Sequence, residues 1–158
     1  ANWGVSLEQG GDPGISSSTF AVTFSSWKYQ NFSEESVSDP AISGGSVDLD
    51  ADTLNTVMEY GFGRSPTTSD AGNNYRASLV DYDGADYLAL SFRRQKGALD
   101  LSYEVQFSND LISWIPSEET VGEPRDNGDG TETVTIRDQI PASGNSTRYT
   151  RVRIAIGQ

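Results

Sequence analysis

Leu101-Ser102-Tyr103-Glu104-Val105-Gln106-Phe107-Ser108 alternates apolar and polar side chains without a break. A period of two puts Leu101, Tyr103, Val105 and Phe107 on one face of an extended chain. It puts Ser102, Glu104, Gln106 and Ser108 on the other. This is the pattern of a half-buried β-strand, and the sequence around it repeats the theme. Upstream, Arg76–Tyr82 and Asp86–Arg94 read as strands joined by the turn pair Asp83-Gly84. Downstream, a turn at Asn109-Asp110 leads into Ser113-Trp114-Ile115. Asn127-Gly128-Asp129-Gly130 marks a hairpin between Val121–Arg125 and Thr131–Arg137. The last strand, Arg148–Ile156, turns Val152, Ile154 and Ile156 inward and Tyr149, Arg151 and Arg153 outward. Short alternating strands separated by turns predict a mainly β protein. Its expected centre is a β-sandwich of the immunoglobulin/fibronectin type over residues 75–158.

The first half reads differently. Residues 1–24 open with Gly10-Gly11-Asp12-Pro13-Gly14 and a serine run, the composition of a flexible arm. Phe20, Val22 and Phe24 alternate within Thr19–Ser25 and predict a short strand in that arm. Residues 25–65 predict a helix–loop–helix segment. Ser33 followed by Glu34 and Glu35 is a helix start, because a capping hydroxyl and early carboxylates suit the positive end of the helix dipole. Asp39-Pro40 is expected to end that helix. Leu54, Val57, Met58 and Phe62 recur at helical spacing, and Gly61 and Gly63 supply stop signals. Together with Trp27 they are expected to be buried where the helices dock on the sandwich.

Composition removes several kinds of chemistry. The 158 residues contain no Cys and no His, so thiol nucleophiles, Ser-His-Asp triads and His-ligated zinc are excluded. The formal charge of −12, from 23 acidic and 11 basic side chains, repels phosphate backbones and argues against nucleic-acid binding. Ten of the acids but two of the bases fall in residues 1–74. No apolar run approaches the ~20 residues of a membrane span. The chain opens at Ala1 without a Met. That fits a mature product after an export signal is removed, and so an extracellular or cell-surface location.

One constellation carries chemistry. Asp48-Leu49-Asp50-Ala51-Asp52-Thr53-Leu54-Asn55-Thr56-Val57-Met58-Glu59 places oxygen donors at loop positions 1, 3, 5, 9 and 12. Position 7, Leu54, can offer its backbone carbonyl. This is the ligand spacing of an EF-hand calcium loop. It predicts one Ca²⁺ held by Asp48, Asp50, Asp52, Leu54, Thr56 and Glu59. Position 6 is Thr53 where Gly is usual, so a β-branched residue must take a positive φ. The competing reading is an acidic helix N-terminus that needs no metal.

Other clusters have plainer explanations. Trp3, Trp27 and Trp114 fit core or interface positions better than a sugar-stacking platform. Asp81, Asp83 and Asp86 surround a turn glycine and fit a solvated hairpin better than a glycosidase pair. Arg93, Arg94, Lys96, Arg148, Arg151 and Arg153 fit a solvated sheet face better than a binding patch. Asn31-Phe32-Ser33 and Asn145-Ser146-Thr147 match the glycosylation sequon.

The stretch from Ser26 to Pro66, SWKYQNFSEESVSDPAISGGSVDLDADTLNTVMEYGFGRSP, resembles a segment of secreted proteins from Verrucomicrobia and related bacteria. That segment runs through a helix, a DPA-type turn, an acidic DxDxDG loop and an N-x-x-E-Y helix. YLALSFRRQK, YEVQFSNDLISW and DNGDGTETVTIRD resemble the β domain that follows it. The resemblance covers about Phe24 to Ile156. It implies a dockerin-like calcium half site at Asp48, Asp50, Asp52 and Glu59. The family has Gly at the position of Thr53 and Asn at that of Thr56.

Two functions compete on these observations. The first is a non-enzymatic extracellular structural protein that self-assembles with other copies into a filament or surface layer. Trp3, Phe20, Val22 and Phe24 would then anchor the arm on a neighbour's sheet edge, with pairing to the chain's own sheet as the alternative. The second is a carbohydrate-binding or adhesion module with polysaccharide as partner. A hydrolase has no acid–base pair to support it.

Overall fold

The structure is a computed structural model that describes residues 21–143 and 147–157. Two antiparallel sheets form a mainly β fold with the layout of a β-sandwich. The first pairs β1 (Tyr75–Tyr82) with β2 (Ala85–Gln95) and β2 with β7 (Thr131–Pro141). Two short strands, β5 (Glu119–Thr120) and β6 (Arg125–Asp126), pair with β7 as well. The second sheet runs β4-β3-β8, from β4 (Ile115–Ser117) through β3 (Leu101–Ser108) to β8 (Tyr149–Ile156). The β1–β2 hairpin turns on Asp83 (φ 53°) and Gly84 (φ 77°), the two positive dihedrals that a tight hairpin requires. Between β4 and β5 the chain crosses from one sheet to the other. Ser117 Oγ fixes that corner by donating to the Arg137 carbonyl at 2.7 Å.

The two sheets meet in one apolar core. Leu90 and Phe92 of β2 and Val134 and Ile136 of β7 face Val105 and Phe107 of β3, with Leu88, Tyr103 and Val152 packed around them. Each large side chain fully buried there contributes about 1.5–3 kcal/mol. The expected inward face of β3 is therefore correct, but its other face is only partly solvated. Gln106 and Ser108 are also buried. Gln106 accepts a hydrogen bond from Arg151 Nε, and the Arg151 guanidinium lies over the Trp114 ring at 4.0 Å. The strand expected over Val121–Arg125 is interrupted. Gly122 takes φ 70° between β5 and β6, and the chain bends there instead of running straight into the hairpin.

The helical segment differs from expectation at its start. The strand expected over Thr19–Ser25 is not formed in the described part. Val22 makes a single parallel bridge with Ala98, and α1 (Phe24–Asn31) begins two residues later. Thr23 and Ser26 form a reciprocal capping box, so Thr-Phe-Ser-Ser is a helix start that the alternation of Phe20, Val22 and Phe24 conceals. Ser33 caps α2 (Glu34–Val37) as predicted. Asp39-Pro40 opens a helix as well as closing one. Asp39 accepts from the Ala41 amide and Pro40 is the first residue of α3 (Pro40–Ser43), where its missing N–H costs nothing. Asn55 caps α4 (Thr56–Phe62), and Gly63 closes it in the left-handed conformation.

These helices bury a second cluster, Trp27, Phe32, Val37 and Tyr60, with Val22, Phe24, Ile42, Ala98 and Leu101 packed against it. Trp27, Leu54 and Phe62 are buried as expected, whereas Val57 and Met58 are half-buried. Tyr60, absent from the expected core, is at its centre. Its ring lies 5.4 Å from that of Trp27 and its hydroxyl bonds both Asp100 and the Val22 carbonyl. α4 packs on β2 and β8, so the loop that precedes it is held against the sandwich. Among the described residues no helix is long and apolar enough to cross a membrane.

Candidate cation site

The loop from Asp48 to Glu59 is built by its own carboxylates. Asp48 accepts from the amides of Asp52 (3.2 Å) and Thr53 (2.9 Å). Asp50 accepts from the Asp52 amide, and Asp52 accepts from the Leu54 amide at 2.9 Å. These bonds curl the backbone tightly enough to force Ala51 to φ 61° and Thr53 to φ 81°. Thr53 thus takes the positive φ usually given to glycine at that position, at a cost of about 1–3 kcal/mol. The two ends of the loop are joined by Thr56, whose amide and hydroxyl both donate to the Val47 carbonyl.

Ligand oxygens of Asp48, Asp50 and Asp52 lie within 4.8 Å of one another. Two oxygens bound to one Ca²⁺ at about 2.3–2.6 Å are at most roughly 5 Å apart, so one ion can touch all three. Proximity of acids on a loop is common without an ion. Glu59 is what distinguishes this cluster. It is 0% exposed, and neither of its carboxylate oxygens has a hydrogen-bond partner. Asp50 Oδ2 and Asp70 Oδ1 are buried and unpartnered too. Among the described residues, none of these five carboxylates forms an ion pair with an arginine or lysine.

An unpaired buried carboxylate costs several kcal/mol. The protein has two ways to avoid that cost: protonation or a cation. Burial pushes the Glu59 pKa up to about 8, reinforced by the negative charges of Asp50, Asp52, Asp48 and Asp70. Asp50 is raised as well, by burial first and Asp52 next. A divalent ion at the centre of these oxygens reverses the balance by supplying the missing positive partner.

The sequence-predicted ligands are brought together unequally. Asp48, Asp50 and Asp52 converge within 4.8 Å, whereas Glu59, in the first turn of α4, lies outside that close group although its buried carboxylate feels the charges of all three. Leu54 is buried beside them with its amide held by Asp52. Thr56 braces the loop through Val47, so its hydroxyl proton is engaged away from the cluster. Asp70 was not predicted. Its amide donates to Asp52 Oδ2 at 3.1 Å across a separation of 18 residues. Only the folded path of the linker after α4 brings it there.

The other candidates settle into structural roles. Val22 and Phe24, expected as contacts for a neighbouring copy, pack on the Trp27–Tyr60 cluster of their own chain. Trp3 and Phe20 lie outside the described residues. Trp27 is buried, and Trp114 is covered by Arg151. Asp81, Asp83 and Asp86 are exposed at the β1–β2 hairpin. Of the six basic residues expected on a sheet face, five are matched by acids: Arg93 with Asp129, Arg94 with Glu132, Lys96 with Asp126, Arg148 with Asp138 and Arg153 with Glu104, while Arg151 is held by Gln106 and Trp114. The Asn31 side chain donates to the Trp27 carbonyl, and Asn145 lies outside the described residues. Fold and loop together define a β-sandwich with an acidic site able to hold a metal ion. Comparisons with protein-family models, curated proteins and solved structures found no significant match.

Proposed function

We propose that this chain is a non-enzymatic, extracellular structural module in which one Ca²⁺ fastens the acidic loop to the start of α4, the helix that docks the helical segment on the β-sandwich. The observation that supports it best is Glu59, fully buried with both oxygens unpartnered beside three convergent aspartates. The donors are all oxygens, which favours a hard cation over zinc or copper. A curled loop with a carboxylate able to bind through both oxygens suits the larger, more adaptable Ca²⁺ better than Mg²⁺, which demands a near-octahedral shell. The ion's role is stability: it binds the folded chain, and mass action then opposes unfolding.

Self-assembly with other copies into a filament or surface layer is the wider setting we propose for such a module. Its anchors are now Trp3 and Phe20, because Val22 and Phe24 have intramolecular partners. The carbohydrate-binding alternative has less support, since Trp27 is buried and one face of the half-buried Trp114 is taken by Arg151.

Thermal unfolding with Ca²⁺, with Mg²⁺ and with chelator tests the first part. A higher melting temperature in Ca²⁺ than in Mg²⁺ or chelator is expected, and coincident curves would overturn the reading. Size-exclusion chromatography and electron microscopy in Ca²⁺ test the second. A protein that stays monomeric at high concentration refutes assembly and leaves the ion site standing.

A further inference from the structure

The segment between α4 and β1 carries an acid that the loop pattern does not include. We propose that Asp70 is a ligand of the bound cation from outside the loop, so that the ion ties residues 64–74 to α4 and to the start of the sandwich. This rests on the reading of the Asp48–Glu59 loop as a cation site.

Three observations carry it. Asp70 Oδ1 is cut off from solvent and has no hydrogen-bond partner, the same condition as Asp50 Oδ2 and both Glu59 oxygens. The Asp70 amide donates to Asp52 Oδ2 at 3.1 Å, which holds the residue against the loop. Finally, the donor count leaves room for it. Three aspartates, the Leu54 carbonyl and a two-oxygen Glu59 make six donors, and Thr56, whose hydroxyl proton is on the Val47 carbonyl, keeps oxygen lone pairs for a seventh. Asp70 lies outside the trio of carboxylates whose oxygens are within 4.8 Å of one another; turned onto the ion, it completes the six to eight donors that Ca²⁺ takes.

The segment also has short-range bonds of its own: the Thr67 amide donates to Ser65 Oγ at 3.3 Å, the Asn74 amide to the Gly72 carbonyl, and the Asn74 side chain to the Ala71 carbonyl. The Arg64 amide donates to the Glu59 carbonyl, Arg64 Nε donates to Asn74 Oδ1, and the Asn74 carbonyl accepts from Arg93. Between them, the contact from the Ser65 amide to Asp70 Oδ2 is long, at 3.5 Å. Without a cation, Asp70 brings a negative charge towards Asp50 and Glu59, and repulsion favours release of the segment. With one, the same charge becomes a tether. The ion then acts across three parts of the chain: the loop, the helix and the linker into β1.

Asp70→Asn tests this because it keeps the backbone amide on Asp52 and removes the charge. Calcium binding by calorimetry is compared for the wild-type chain, Asp70→Asn and the exposed control Asp83→Asn. Asp70→Asn is expected to bind Ca²⁺ about tenfold or more weakly, and the control to match wild type. Hydrogen exchange of the wild-type chain supplies a readout that needs no variant: Ca²⁺ should slow exchange across residues 65–73. Equal affinity in Asp70→Asn, or unchanged exchange in this segment when Ca²⁺ binds, overturns the role of Asp70 and leaves the loop site intact. A wild-type chain that binds no Ca²⁺ overturns both readings.

Discussion

Replacing Glu59 with Gln separates the two ways in which the protein can tolerate a buried carboxylate. In the metal-free chain the folded pKa of Glu59 is raised from 4.5 to about 8. The folded state therefore keeps this proton over a range in which the unfolded chain has lost it. Its stabilising contribution is complete below about pH 4.5 and is lost as pH rises towards 8. At about 1.4 kcal/mol per pH unit, the loss is roughly 3 kcal/mol by pH 7 and roughly 5 kcal/mol by pH 8. Calcium opposes this trend, because it binds the ionised form and adds about 2.7 kcal/mol at a hundredfold excess over Kd. Binding near pH 7 is thus expected to release close to one proton. In Glu59→Gln the metal-free pH slope should flatten, with a smaller slope left by Asp50, and the calcium gain should largely vanish. Urea unfolding followed by the fluorescence of buried Trp27, in chelator and in calcium from pH 5 to 8, measures both effects. A variant that keeps the steep metal-free slope, or gains as much from calcium as the wild type, would refute the assignment of Glu59.

Three further substitutions probe the frame around the site. Thr53→Gly relieves the φ of 81° and should stabilise the chain by about 1 kcal/mol with or without calcium, seen as a higher melting temperature in both. Gly61→Ala should destabilise by about 1–3 kcal/mol, because a Cβ there would lie 2.9 Å from two carbons of Ile154. Adding Ile154→Ala should recover part of that loss in a double-mutant cycle. Tyr60→Phe removes the bonds to Asp100 Oδ1 and the Val22 carbonyl and should cost about 1–3 kcal/mol in urea denaturation.

Much of this architecture is written in local pattern. The β3 alternation, the Asp83-Gly84 turn and the Ser33 cap are decided within a few residues, and the structure places them where the sequence does. The loop aspartates are legible for the same reason, since a 1-3-5-12 spacing is a property of one short segment. Legibility fails where one local pattern conceals another. Phe20, Val22 and Phe24 alternate as a strand would, yet Thr23 and Ser26 satisfy two orphan amides and start a helix. It also fails where distant segments decide. Tyr60 reaches the core because Asp100, 40 residues away, receives its hydroxyl. Asp70 approaches the loop because of the route taken by residues 64–74, and an isolated carboxylate in a polar linker carries no spacing signal.

Asp100 has a mechanical consequence. Its carboxylate accepts from the Phe24 amide and the Tyr60 hydroxyl, and its carbonyl accepts from the Gly157 amide. The first described turn and the last described strand therefore meet at one residue, with the Val22–Ala98 bridge beside it. Tension applied between Val22 and Gly157 would enter the fold at neighbouring points. It would open β8 from β3 one hydrogen bond at a time, starting at the Ile156–Leu101 pair, instead of shearing the whole ladder together. Because α4 packs on β8, with Gly61 against Ile154, peeling that strand also strips support from the helix that follows the acidic loop.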